Sequence, residues 1–151
     1  MPALSEPIPV VLIGRSIEMG KPVSELLLPE YEVIRFIQSF ESAQSELPHL
    51  LAGHQPPTPG TNAVGTEDYS RGAPRIVILG RFFLPEQAEQ LRSATTGTNA
   101  DPVAWIVGDP AKTPPGNGPP PGFEKVIART VKEAIRGWRD GGAKENGVVL
   151  F

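Results

Sequence analysis

Five residues that could bind an anion or move a proton follow the ends of short apolar runs in this 151-residue chain. Two arginines beside the starts of helices would suit a phosphate or a carboxylate. Glu18 or Asp109 could then accept a proton or a hydrogen bond. Alternatively, one of these acids could pair with Arg15 in a structural salt bridge. The candidate ligand-binding residues are Arg15, Ser16, Glu18, Arg81 and Asp109.

The three runs that precede these residues share one pattern. Residues 10–15 (VVLIGR), 76–81 (IVILGR) and 104–109 (AWIVGD) are each apolar, then glycine, then charged. Short apolar runs of this kind are typical of strands buried on both faces of a parallel sheet. Because the carboxyl ends of parallel strands meet at one edge, we expect the candidate residues to share a crevice there.

Strands and helices are predicted to alternate along the whole chain. Such alternation indicates a three-layer α/β/α fold, with right-handed crossovers and a five-stranded parallel sheet in the flavodoxin-like order 2-1-3-4-5. Pro22 suits the first turn of the first helix, because its missing N–H needs no partner there. The predicted strands are at about 8–14, 31–37, 75–80, 102–107 and 147–151. The predicted helices are at about 21–28, 84–94 and 123–139, with another that begins at Ser39 or Glu41, runs to about 51 and is disturbed by Pro48.

We expect one domain over residues 8–151, after a flexible tail at residues 1–7. Two long loops rich in glycine and proline interrupt it, at residues 52–74 and 108–122. The first joins a helix to a strand and is expected at the amino edge of the sheet. The second follows a strand, so it is the natural lid over a site at the carboxyl edge.

No recognisable catalytic motif is present, so the sequence leaves open whether the protein is an enzyme. Five residues rather than four separate Gly14 from Gly20, and Pro22 stands where a phosphate-binding loop needs Ser or Thr. The dinucleotide pattern G-x-G-x-x-G and the nucleophile pattern G-x-S-x-G are absent. The chain has no cysteine, and His49 and His54 lack the spacing of a helical metal pair. We therefore predict no cofactor and no metal.

One resemblance to a known family concerns the fold. Four stretches are similar to the flavodoxin-like substrate domain of D-2-hydroxyacid dehydrogenases, namely residues 8–15, 27–33, 74–81 and 84–87. The likeness covers roughly residues 8–110 and consists of fold-level patterning. That family's activity needs a nicotinamide-binding domain and the Arg, Glu and His that it contributes, for which this chain has no room. The resemblance therefore implies the fold and argues against the activity.

Charge and apolar surface lead to the functional prediction. The net charge of −3 argues against a nucleic-acid surface, and no segment is long and apolar enough to span a membrane. The consecutive Leu26, Leu27 and Leu28, and a last strand at 147–151, are candidate contacts for a second copy. We predict a cytoplasmic, self-associating or partner-binding module that is not autonomously catalytic. The alternative is a small enzyme or sensor that binds an anionic metabolite or nucleotide at the carboxyl edge.

Overall fold

The fold is seen in a computed structural model in which strands and helices alternate from the first element. The strands are β1 Ile8–Ile13, β2 Tyr31–Ile37, β3 Ile76–Leu79, β4 Ala104–Val107 and β5 Val148–Leu150. The helices are α1 Ile17–Leu27, α2 Phe40–Leu51, α3 Pro85–Ala94 and α4 Phe123–Asp140. The structure describes residues 7–15, 17–28, 30–54, 56, 64–69, 73–80, 85–95, 103–108, 122–141 and 148–150.

The strands form one parallel sheet. β1 lies between β2 and β3, and β4 pairs with the other side of β3. This confirms the predicted α/β fold and the order 2-1-3-4. The short β5 lies parallel to β4, with Ile106 opposite Val149. Every residue of β1, β2, β3 and β4 is buried, as expected for strands covered on both faces.

Alternating side chains of the strands divide the core into two halves. Leu12 and Ile78 face the layer of α1 and α4, where they meet Leu27 and Val131. Neighbouring side chains such as Val11 face α2 and α3. α2 begins at a capped end, because Ser39 accepts a hydrogen bond from the backbone N–H of Ser42 at 3.1 Å. Trp105 and Trp138 are both buried, at 2% and 8% exposed.

α1 begins at Ile17, four residues before the predicted start at residue 21, so the predicted start was wrong. Pro22 lies inside the helix rather than in its first turn, so the helix lacks one internal hydrogen bond. Tertiary packing compensates for this loss, since Val23 and Leu27 are buried in the core beneath α1. Gly20 lies so close to Phe36 that an added Cβ would come within 2.6 Å of the ring.

α4 packs one apolar face against the sheet. Val126 is 38% exposed, whereas Ala128 is buried. The covered stripe runs through Ala128, Val131, Ile135 and Trp138. No helix in the described part of the chain is both long and apolar enough to cross a membrane.

Candidate functional site

β1 and β3 end side by side at the carboxyl edge of the sheet. The backbone N–H of Gly14 donates to Ile37, and that of Gly80 donates to Ile13, each at 2.9 Å. The order β2-β1-β3 means that the chain leaves β1 and β3 in opposite directions along the sheet. This is the topological switch point at which open α/β sheets bind ligands.

Two of the five predicted site residues lie at this edge. Arg15 directly follows the glycine that ends β1, and Glu18 lies in the first turn of α1. Both are exposed, and the backbone carbonyl of Arg15 accepts a hydrogen bond from the Gln38 amide at 3.3 Å. Ser16, Arg81 and Asp109 lie outside the described residues, as do residues 109–121 of the predicted lid. The convergence of the five residues therefore stays a prediction.

A second polar cluster, which the sequence did not predict, surrounds Arg35 on the sheet's edge strand β2. The Arg35 side chain is 3% exposed, and its Nε donates to Glu46 Oε1 of α2 at 2.8 Å. Its Nη1 donates to Glu67 Oε1 at 2.7 Å and lies 3.5 Å from the Tyr69 hydroxyl. The same Glu67 oxygen accepts from the Tyr69 hydroxyl at 3.1 Å. One buried cation thus connects a strand, a helix and a distant loop.

Residues 64–69, which we call the β2 strap, bring Glu67 and Tyr69 to this cluster. The backbone N–H groups of Thr66 and Glu67 donate to the carbonyls of Val33 and Ile34 at 3.0 and 2.9 Å. The Thr66 hydroxyl donates to Glu32 Oε2 at 2.7 Å. The strap therefore lies along β2 and is hydrogen-bonded to it, although it lies within the predicted 52–74 loop.

Two backbone features show that the strap is held by tertiary contacts. A Cβ added to Gly65 would lie 2.7 Å from both Arg35 Cα and Ile34 O, so only glycine allows this approach. Glu67 has φ 59°, a left-handed conformation that is strained for a residue with a side chain. The contacts with β2 must outweigh that strain.

The cluster is suited to holding structure rather than to proton transfer. Burial acts to lower the pKa of Arg35, but hydrogen bonds and charges of Glu46 and Glu67 raise that pKa above its ordinary value. Burial also raises the pKa of the Tyr69 hydroxyl, and the charge of Glu67 raises it further. An arginine that stays charged can bind carboxylates but cannot serve as an acid or a base near neutral pH.

The sequence signal for this cluster was present but ambiguous. Glu32 and Arg35 are the charged residues of an otherwise apolar strand with strong β propensity. Their spacing of three would put them on opposite faces of a regular strand. The pairing of β1 with β2 skips Ile34, so both charged residues lie on the side of α2. A register shift of this kind cannot be seen in a single sequence.

Exposed large apolar side chains form a third feature, in the layer of α1 and α4. Leu26 and Leu28 are 37% and 47% exposed on either side of the buried Leu27. Ile17 and Val126, near the starts of α1 and α4, are also exposed. The predicted apolar surface at residues 26–28 is thus reduced to its two outer leucines.

The histidines offer no metal site in the part of the chain that the structure describes. His49 lies in the last turn of α2 and His54 follows that helix, and both are exposed. Among these described residues, no group of three His, Cys, Asp or Glu could hold a metal ion.

One named protein is similar to this chain over most of its length. Kojic acid related protein 6 of Aspergillus oryzae is 34% identical over 128 residues, which are 85% of this chain and 76% of that protein. No family model matches the chain, and no solved structure matches it significantly. The relative's name refers to kojic acid and states no activity.

Proposed function

This chain belongs to the family of kojic acid related protein 6 of Aspergillus oryzae, and we propose that it is an interaction module that associates with a second copy of itself. The module is not autonomously catalytic and acts in the cytoplasm. Its sheet is the complete five-stranded flavodoxin-like one, as its fold-level resemblance to the substrate domain of D-2-hydroxyacid dehydrogenases implies.

The exposed Leu26 and Leu28 are the observation that supports self-association most directly. Both belong to the short stretch where α1 ends, and the intervening Leu27 anchors that stretch in the core. A two-fold contact would use the pair twice, removing four leucine side chains from water. Each leucine that passes from exposed to fully buried contributes about 1.5–3 kcal/mol, so partial burial of four would stabilise a dimer.

Light scattering coupled to size exclusion tests this proposal across a wide range of protein concentration. We expect the wild-type mass to rise from 16.2 kDa towards twice that value. The double variant Leu26→Glu/Leu28→Glu should stay at the monomer mass, because it would place carboxylates in the contact. Gln44→Glu/Ser45→Glu adds the same charge to exposed positions of α2 and should behave as wild type. A wild-type protein that stays monomeric throughout would contradict the proposal.

A second candidate function is the binding of a small anionic metabolite or nucleotide at the carboxyl edge. The observation in its favour is that Arg15 and Glu18 are exposed beside the switch point between β1 and β3. A guanidinium at that place would bind a phosphate or carboxylate through charge-assisted hydrogen bonds.

Thermal denaturation with a panel of nucleotides, acyl carriers, carboxylates and kojic acid tests this second candidate. At least one compound should raise the melting temperature, and Arg15→Ala and Arg81→Ala should each abolish the rise. Arg136→Ala, at an exposed position of α4, is the matched control and should keep it. A silent panel, or a rise that survives both variants, would count against the site.

A further inference from the structure

The β2 strap supplies the edge of β2 with the groups that a neighbouring strand would supply. Edge strands expose backbone carbonyls and N–H groups that attract strands of other molecules. The strap's backbone N–H groups satisfy the carbonyls of Val33 and Ile34. Its side chains satisfy the two charged residues of the strand, since Thr66 donates to Glu32 and Glu67 accepts from Arg35.

A second copy of β2 could supply equivalent groups. Consider two copies of β2 paired antiparallel, with the two-fold axis between Val33 and Ile34. Glu32 of each copy then lies opposite Arg35 of the other, and both residues lie on the α2 side of their sheet. Opposite charges directly across an antiparallel pair are favourable. The strand is thus complementary to itself in one register.

We propose that the β2 strap is an intramolecular guard that occupies this self-complementary edge, and that its opening allows two copies of the protein to pair through β2. The strap's apolar contacts are limited, because Val64 and Tyr69 are only partly buried against the two halves of the core. Polar contacts hold its Thr66 and Glu67, and Glu67 is kept in a strained left-handed conformation. Displacing the strap relieves that strain, and the second copy replaces its hydrogen bonds.

This proposal concerns a surface other than the one formed by Leu26 and Leu28 and does not depend on it. Its experiments therefore use the Leu26→Glu/Leu28→Glu background, in which association through the leucines is removed. Any association gained on opening the strap is then assigned to β2.

The variant Gly65→Val opens the strap without altering β2. A side chain at this position would collide with the backbone of Ile34 and Arg35, which a shift of side chains cannot relieve. Gly137→Ala is the matched control, because a Cβ at Gly137 meets nothing within 4 Å. Should Gly65→Val fail to fold, Thr66→Val/Glu67→Met removes the side-chain hydrogen bonds to Glu32, Arg35 and Tyr69 at almost constant size.

Hydrogen exchange and light scattering are measured on the same samples. In the background protein and the Gly137→Ala control, the amides of Thr66 and Glu67 should be protected and the mass should stay at that of one chain. In Gly65→Val these two amides should lose their protection, and the mass should rise with concentration to that of two chains. Adding Glu32→Lys to Gly65→Val should return the measured mass to that of one chain, since the lysine would lie opposite the second copy's Arg35 and the two cations would repel each other.

Three results would overturn the proposal. One is that the amides of Thr66 and Glu67 exchange freely in the background protein, so that no guard exists. Another is that Gly65→Val loses this protection and remains a single chain at every concentration. The third is a dimer of Gly65→Val that forms equally well with Glu32→Lys, since its contact would then not be the antiparallel β2 pair.

Discussion

Arg35 carries a charge into the most buried layer of the protein, and its neighbours are arranged to keep that charge stable. An isolated guanidinium in such a place would be costly, because burial removes its hydration. Glu46 and Glu67 replace that hydration through hydrogen bonds of 2.8 and 2.7 Å. Since Glu46 and Glu67 are both distant from Arg35 in sequence, this one side chain joins α2 and the strap to β2.

Replacing Arg35 with methionine should lower the free energy of unfolding by about 3 kcal/mol, because two carboxylates would lose their shared cation. Methionine retains the apolar stem, so the loss reports the charge rather than packing. Arg92→Met is the matched control, since Arg92 is 37% exposed and pairs with the exposed Glu89 within α3. Urea denaturation measures both variants. Equal effects of the two would show that the Arg35 cluster is no stronger than a surface pair.

Tyr69 makes the same cluster sensitive to alkaline pH. Burial and the charge of Glu67 raise the pKa of its hydroxyl above the ordinary value. The folded protein therefore holds this proton more tightly than the unfolded chain, and the associated stability is present at neutral pH. This contribution to stability should be lost as the pH rises from the ordinary tyrosine pKa through the raised pKa of Tyr69 in the folded protein. Ultraviolet titration of a Tyr31→Phe protein measures that pKa, because Tyr69 is then its only tyrosine.

Tyr69→Phe should remove this part of the alkaline loss of stability. The comparison is made by urea denaturation at neutral and alkaline pH, in the variant and in wild type. If both lose stability to the same extent over that range, the Tyr69 proton is not linked to folding.

At the scale of elements, α1 shows how packing overrides a local signal. A proline often lies in the first turn of a helix, yet α1 begins five residues before Pro22. Those five residues include Gly20, which contacts the ring of Phe36 in β2. The close approach of helix and strand at this point holds the start of α1, where Glu18 lies.

Gly20→Ala tests this approach. An added Cβ 2.6 Å from a buried ring forces the ring or the helix to move, at a cost of about 1–3 kcal/mol in unfolding free energy. Gly137→Ala in α4 makes the same change in open space and should stabilise the protein by roughly 0.5–1 kcal/mol. Chemical denaturation compares the two. A stabilising Gly20→Ala would show that the approach is looser than the structure indicates.

At the scale of the whole molecule, the two edges of the sheet are protected in different ways. β2 is covered by the strap, whereas β5 consists of three residues that pair with β4. Short edge strands and covered edges are both ways of limiting association through strands. β5 also covers the flank of β4, where Trp105 lies opposite Val148.

Ending the chain at residue 147 should therefore destabilise the whole domain. The loss of β5 uncovers β4 and removes the packing of the partly buried Val149, which should lower the unfolding free energy by about 2 kcal/mol. Calorimetric melting of the shortened and full chains measures the difference. Unchanged melting would indicate that β5 adds little to a four-stranded core, and would count against the proposed five-stranded sheet.

The predictable part of this protein is the part that depends on local pattern. Apolar runs that end in glycine, separated by helical stripes, predicted the α/β class, and the number and spacing of the strands favoured the flavodoxin-like order, of which 2-1-3-4 is confirmed. The same reasoning placed Arg15 and Glu18 at the carboxyl edge. The position of the β2 strap along β2 could be seen only in the tertiary structure. Its contacts with Arg35 join residues 32 positions apart through a skipped register position, and no local periodicity encodes such a contact.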